Sequence, residues 1–414
     1  MRTGVSALRL ISEMLFRNIL NDVLAEKSAE FENFLREYSL GVEAYLAALD
    51  RMAETRLDAV ERRLVEAENA GAIPAAEFGE RAMFSVPFGI SWENHEQARS
   101  WAADILEKRT TFAADGSQIY CGKETSVPIA AVQIGWFENP HDLSADYEKN
   151  AKFEILTPQD LLQELEEPMN PDIRVEARRY LGEVERVCEF LRKKQGWQER
   201  GEQMPLAFFD NPLLVPFSQK GLQRSFLDAT VEMVQLSAET RVPVVGYVDR
   251  SFSRDILTML DKFGGYGARE TSLYDASLLR IRRADGSRVL NSWGDRTCFC
   301  YSRRRGLEAF DDAASGRSTV GFAYLQTSSD AAAARLDVPA WVYEDGLLDE
   351  LADVVRAECV IGLGYPYALE TADATAVIST RDREVFFRAL QEFATRGKLD
   401  FSVSRKDASK GRRR

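Results

Sequence analysis

Three strand-like segments with no helix between them constrain this chain most. TTFAADGSQIYCG and VPIAAVQIGWF read as strands that pair in a hairpin or meander, and AKFEIL reads as a third. A long helical pattern then covers about 160–194, followed by an apolar strand in PLAFFDNPLL. A helix (219–240), a buried-looking strand (VPVVGYVDR) and another helix (252–263) come next. After a variable middle, GFAYLQT and VPAWVYE read as strands, and helices start from Gly346 and from Pro366.

Three strands, helix, strand, helix, strand, helix is the order of the ribonuclease-H-like α/β fold, whose mixed sheet opens with an antiparallel meander and is flanked by helices. Ahead of it, Val5, Leu8, Ile11, Leu15, Ile19 and Val23 recur at helical steps, and Phe31, Phe34, Leu35 and Tyr38 continue the pattern. Leu57, Val60 and Leu64 share a face amid dense charge, and the loop around Gly71 and Pro74 marks the boundary region. The expected organisation is an N-terminal helical extension over 1–104, suited to dimerisation or partner docking, a ribonuclease-H-like domain over 105–400, and a basic flexible tail over 401–414.

Composition removes several chemistries. There are only two histidines, His95 and His141, so a multi-histidine metal site is excluded and acid–base work falls to carboxylates. Five cysteines, with no CxxC, indicate neither a disulfide framework nor a zinc site and fit a reducing cytoplasm. No uncharged apolar run approaches the roughly 18 residues that span a bilayer. The opening MRTGVSALRLISEML carries Arg2, Arg9 and Glu13 and reads as no signal peptide, so a cytoplasmic location without membrane attachment is expected. A net charge of −13 argues against generic adhesion to nucleic acid but not against local basic patches.

Certain acids stand where a core is expected. Asp115 follows Phe112-Ala113-Ala114 and precedes Gly116-Ser117, so it opposes strand propensity and needs a compensating cation or strong donors. Asp285-Gly286-Ser287 has the same triplet between Arg283 and Arg288 and reads instead as a solvated turn. Asp210 ends the run Leu206-Ala207-Phe208-Phe209, at the carboxyl end of a strand, where open α/β sheets place ligands. On the intervening helix Ala177, Leu181, Val184, Val187, Cys188 and Leu191 form the apolar stripe. Glu183 lies on its edge, with Glu176 one heptad earlier as the alternative. Asp373 falls within the expected buried stripe of the Pro366 helix. Acids facing a core, with almost no histidine, suit Mg²⁺ or Mn²⁺ rather than Zn²⁺. Two ions roughly 3.5–4 Å apart are the standard arrangement for phosphodiester cleavage, and a central Asp115 would bridge them.

In these motifs the chain resembles the NurA nucleases over roughly 105–410. FAADGS is similar to the family's first motif, Arg179-x-x-x-Glu183 to its helical Glu motif and FFDNPLL to its later Asp motif. VVGYVDRSFSRDILTML, ARLDVPAWVYE, GYPYALETADATAVI and VSRKDASKGRRR resemble its later segments. The resemblance implies an Mn²⁺-dependent (or Mg²⁺-dependent) DNA nuclease, a 5′–3′ exonuclease on single- and double-stranded DNA with single-strand endonuclease activity. It also implies a homodimer docked on a HerA-type hexameric ATPase for DNA end resection and double-strand break repair. Carried over by motif, Asp115, Glu183, Asp210 and Asp373 are the metal ligands, with Tyr365 beside them. Two departures stand out: Asp373 replaces the His of many members, and Asp249 replaces a Lys.

DNA contacts are expected from charge placement. Arg250 and Arg254 frame a strand end, Arg303-Arg304-Arg305 form a local cluster, and Lys406 and Lys410 belong to a basic arm. Tyr365 and Tyr367 stack bases or pack beneath the site. The competing readings are a catalytically weak adaptor subunit of a translocase and a related nuclease acting on RNA.

Overall fold

The computed structural model describes residues 16–81, 84–122, 125–162, 170–215, 222–264, 273–328 and 331–399. The strands are β1 (Gly71–Pro74), β2 (Ser85–Val86), β3 (Thr111–Ile119), β4 (Ala130–Asn139), β5 (Glu148–Leu156), β6 (Leu206–Phe209) and β7 (Val244–Val248). After them come β8 (Arg296–Thr297), β9 (Cys300–Arg303), β10 (Val320–Leu325) and β11 (Ala334–Pro339).

All belong to one mixed sheet, whose main path runs β1-β9-β10-β11-β7-β6-β3-β4-β5, with β8 joining β10 to β2. β3, β4 and β5 form the antiparallel meander. β6 lies parallel to β3 and β7 parallel to β6. The order β5-β4-β3-β6-β7 is the ribonuclease-H-like half. β11 then pairs antiparallel with β7 and extends the sheet.

β6 and β7 are almost wholly buried and carry unbroken apolar runs, as parallel strands covered on both faces require. The Pro171–Lys194 helix packs on β3, β4 and β6 through Val175, Val184, Val187 and Leu191. The Tyr367–Ala376 helix packs on β3 and β4 through Ala368, Leu369, Ala372 and Ala376.

Several segments depart from the sequence expectation. Gly71–Pro74 is no boundary loop: it is β1, paired with β9. In VPAWVYE only Val338 and Pro339 belong to a strand, and Ala340–Glu344 turns helical. A capped helix, Thr380–Gly397, follows the Pro366 helix; Ser379 and Asp382 close its capping box. Asp285-Gly286-Ser287 is an exposed turn, with Gly286 at φ +84°. The amphipathic pattern of the first residues is helical from residue 16, while Val5, Leu8, Ile11 and Leu15 lie outside the described residues.

Candidate active site

The site forms where the sheet opens. β3 and β6 are hydrogen-bonded only from Thr111 with Leu206 to Ala114 with Phe209. The next residues on the two strands are Asp115 and Asp210, so both acids stand at the fork where parallel pairing stops. Side chains alternate along β3. Asp115 and Ser117 face the Tyr367–Ala376 helix, and the Ser117 hydroxyl accepts the Ile378 N–H at 3.4 Å. Gly116 faces the Pro171–Lys194 helix. A Cβ on Gly116 would stand 2.6 Å from Oε1 of Glu183 and 2.5 Å from Cγ of Arg179. Lacking that atom, β3 admits the helix acid to the fork from the opposite face.

Burial and neighbouring charges shift Asp115, Glu183 and Asp210. Burial raises the Asp115 carboxyl from its ordinary 3.8 to about 6, with the charges of Asp210 and Asp373 and a hydrogen bond with Asp373 adding to it. Glu183 is 1% exposed, and burial lifts its carboxyl to about 8. Arg179 opposes that rise, while Asp115 and Asp210 reinforce it. Desolvation also raises Asp210, against a hydrogen bond from Tyr365 and with further repulsion from Asp373 and Asp249.

Around this core the other groups hold the carboxylates in place. Tyr365 donates from its hydroxyl to Oδ1 of Asp210 at 2.9 Å, and its ring meets Tyr247 edge-on. Asn211 donates to Oε2 of Glu183 at 3.2 Å, and Arg179 donates to Oε1 at 2.5 Å.

The structure thus brings together Asp115, Glu183, Asp210, Asp373 and Tyr365. Glu176 lies apart, accepting from the Tyr120 hydroxyl at 3.0 Å. Asp373 corrects the expectation of a buried acid. The buried face of its helix is Ala368, Leu369, Thr371, Ala372 and Ala376, and Asp373 turns outward to the open mouth of the fork. Arg250 is exposed beside Asp249, near enough for an ion pair at 3.9 Å. Arg254 directly precedes the Asp255–Gly264 helix. Arg303, Arg304 and Arg305 line a separate cleft of about 400 Å³ with residues 65–69. Tyr367 packs edge-on against Phe137 rather than joining the fork. Lys406 and Lys410 lie outside the described residues.

Sequence reasoning missed Asn211, and it read Asp249 only as a lost basic contact, not as a fifth acid beside Asp210. Asn211 follows Asp210 directly, but nothing in FFDN says that its amide turns back to a helix. His141 is structural: Nδ1 meets the Arg109 carbonyl at 2.7 Å and Nε2 lies 3.6 Å from Glu358.

Among the described residues no three His, Cys, Asp or Glu side chains are already gathered at metal-holding spacing. The donor set still fits a hard divalent cation. It is all oxygen, it stands at an open fork, and neighbouring carboxylates raise the cost of ionising Asp115, Glu183 and Asp210.

The family model described as "NurA domain" matches residues 109–378. Among solved structures, NurA with manganese matches at 10% identity and TM-score 0.36, covering 69% of this chain and 90% of that one. The catalytic domain of human Endonuclease V matches at 13% identity and TM-score 0.31, covering 72% and 94%. Endonuclease V from Bacillus subtilis matches at 11% identity and TM-score 0.29, covering 73% and 97%. Among curated proteins none matches the sequence. The sequence model spans the whole fork, from the strand that carries Asp115 to the helix that carries Asp373, and covers well over half of the chain. The chain therefore belongs to the NurA family of nucleases.

Proposed function

We propose that this protein is a divalent-metal-dependent DNA nuclease, with Mn²⁺ or Mg²⁺ as cofactor and two ions in the working site. The observation that carries the reading is the meeting of Asp115, Glu183, Asp210 and Asp373, from two strands and two helices, at the one place where β3 and β6 part. A bound divalent ion would supply activation of water and neutralisation of phosphate charge. Asp115, Glu183, Asp210 and Asp373 would hold it. Tyr365 fixes one oxygen of Asp210, and Asn211 fixes one oxygen of Glu183, so neither carboxylate must be ordered when substrate arrives. No side-chain nucleophile is required.

The finer reading follows the family: 5′–3′ exonuclease action on single- and double-stranded ends, single-strand endonuclease action, and work with a HerA-type hexameric ATPase in end resection and break repair. Arg250, at the end of β7 beside the fork, supports a phosphate contact there. The leading helices support a protein partner or a homodimer, since Phe16, Ile19, Val23 and Phe31 are exposed on them before and after the break at Lys27. Among the described residues no helix is long and apolar enough to cross a membrane.

The test is cleavage of end-labelled single-stranded DNA, duplex DNA and RNA in Mn²⁺, with and without the translocase. DNA products that vanish in Asp115→Asn support the reading. Cleavage of RNA alone moves the assignment to RNA, and no cleavage under any condition leaves the adaptor.

A further inference from the structure

Glu183 reaches the fork with both oxygens engaged. Arg179, one turn earlier on the same helix, donates from Nη1 to Oε1 at 2.5 Å, and Asn211 donates to Oε2 at 3.2 Å. The carboxylate is 1% exposed, so a cation that binds it must enter a site where both oxygens already carry a donor. Of the two, the charged donor is the one a cation opposes: a divalent ion would repel the Arg179 guanidinium but not the neutral Asn211 amide. Oε1, the oxygen that Arg179 holds, lies against Gly116, where a Cβ would come within 2.6 Å of it.

Arg179 is itself only partly satisfied. Its Nε is buried and has no hydrogen-bond partner among the described residues. A guanidinium serving only as a structural bridge normally spends more of its fork, because an unmet buried donor costs about 1–3 kcal/mol. The side chain instead puts a full positive charge among acids, where it steadies Glu183 and also favours the ionised form of Asp210.

We infer that Arg179 is the resident counter-cation of the acid cluster: it holds Oε1 of Glu183 in the metal-free protein and yields that oxygen to the first divalent ion, while Asn211 keeps Oε2. This rests on the metal-dependent reading above. Arg179 is a positioning residue here, acting through Glu183. A guanidinium and a doubly charged ion on one carboxylate repel each other, so the affinity measured for the metal is lowered by that repulsion and by the work of moving the guanidinium.

The test is calorimetric titration of the metal-free full-length protein with MnCl₂, with melting temperature followed in parallel. Arg179→Gln removes the charge and keeps a hydrogen-bond donor; its Kd for Mn²⁺ falls about tenfold or more, and Mn²⁺ raises its melting temperature further than in wild type. Arg179→Met keeps the stem against Gly116 and replaces the Gln variant if that does not fold. Arg179→Lys keeps the charge and stays within about threefold of wild type. A folded Gln or Met variant that binds Mn²⁺ no more tightly than wild type overturns the inference, as does a Lys variant that tightens equally. If wild type binds no Mn²⁺ at all, the metal-dependent reading fails first and takes this inference with it.

Discussion

Asp115 and Gly135 face each other across β3 and β4 as Cα partners, and the glycine is what lets a second acid reach the first. A Cβ at Gly135 would lie 2.5 Å from the backbone nitrogen of Ala376 and 2.8 Å from the carbonyl carbon of Thr375. Without it, the end of the Tyr367–Ala376 helix rests on the sheet, and Gln133 ties down its last carbonyls at 3.0 and 3.4 Å. Glu358 holds the other end by accepting the Ala368 N–H at 2.9 Å. Asp373 is thereby set over Asp115.

Gly135→Ala tests this relationship. The clash is with backbone and no rotamer relieves it, so the helix must lift. We expect a loss of about 1–3 kcal/mol in stability and a fall in nuclease activity well beyond what stability explains. Chemical denaturation and a Mn²⁺ cleavage assay at a temperature where the variant is folded separate the two effects. Wild-type activity would show that the Asp115–Asp373 contact is dispensable.

Asp115→Asn and Asp210→Asn should each abolish cleavage, by about a thousandfold or more, while leaving the fold intact. Metal-free, each should melt roughly 1–3 °C higher, because a neutral amide removes a carboxylate that its neighbours repel. Circular dichroism melts in EDTA provide the measurement, and a lower melting temperature would contradict the crowding described here.

The metal-free protein should lose stability as pH rises from about 4 to 8. Asp115 and Glu183 keep their protons to about 6 and about 8 in the folded chain, against ordinary values of 3.8 and 4.5. The native state therefore binds more protons than the unfolded chain across this window, and the slope of unfolding free energy with pH is negative. The stabilisation is complete below pH 4 and gone above pH 8. Saturating Mn²⁺ should flatten the slope, because the ion favours the ionised acids. Urea midpoints at fixed pH, with and without Mn²⁺, measure it.

Tyr365→Phe removes the hydroxyl that anchors Oδ1 of Asp210 but keeps the ring against Tyr247. Losing one hydrogen bond to a charged acceptor is worth roughly a tenfold fall in kcat, with little change in melting temperature. A kcat equal to wild type in steady-state assays would remove Tyr365 from the site.

Much of the fold could be read from texture. β6 and β7 announce themselves because each is a short apolar run closed by an acid or a turn, and the meander does so because three strand-like stretches follow one another with no helical period between them. β1 was hidden because GAIP carries Gly and Pro and is too short to show a period; only its partner β9, more than 200 residues later, makes it a strand. AWVYE misled for the opposite reason: its aromatic and branched residues favour strand, but Ala340 follows Pro339 at the end of β11, where the chain turns into a helix. At the site, Asp115 and Asp210 were legible because an acid ending an apolar strand is unusual. Asp373 does interact with Asp115, but from an exposed edge of its helix and not from a buried stripe, since helical spacing alone cannot tell the edge of such a stripe from its middle. The Arg179–Glu183 pair has ordinary i,i+4 helix spacing and could be read from the chain, but the engagement of Asn211 with Glu183 left no sequence signal of its own, because it joins a strand end to a helix.

The pairing of β1 with β9 has a bearing on how this protein can be divided. The stretch shared with the family begins at residue 109, yet Gly71–Pro74 hydrogen-bonds to Cys300–Arg303 deep inside that stretch. Ancestry and mechanical integrity therefore draw their borders in different places. A truncation made at the inherited border would strip β9 of a neighbour and bare a row of unpaired amides and carbonyls, which invites self-association. Any attempt to isolate the nuclease by trimming its leading segment would thus damage the sheet it was meant to preserve.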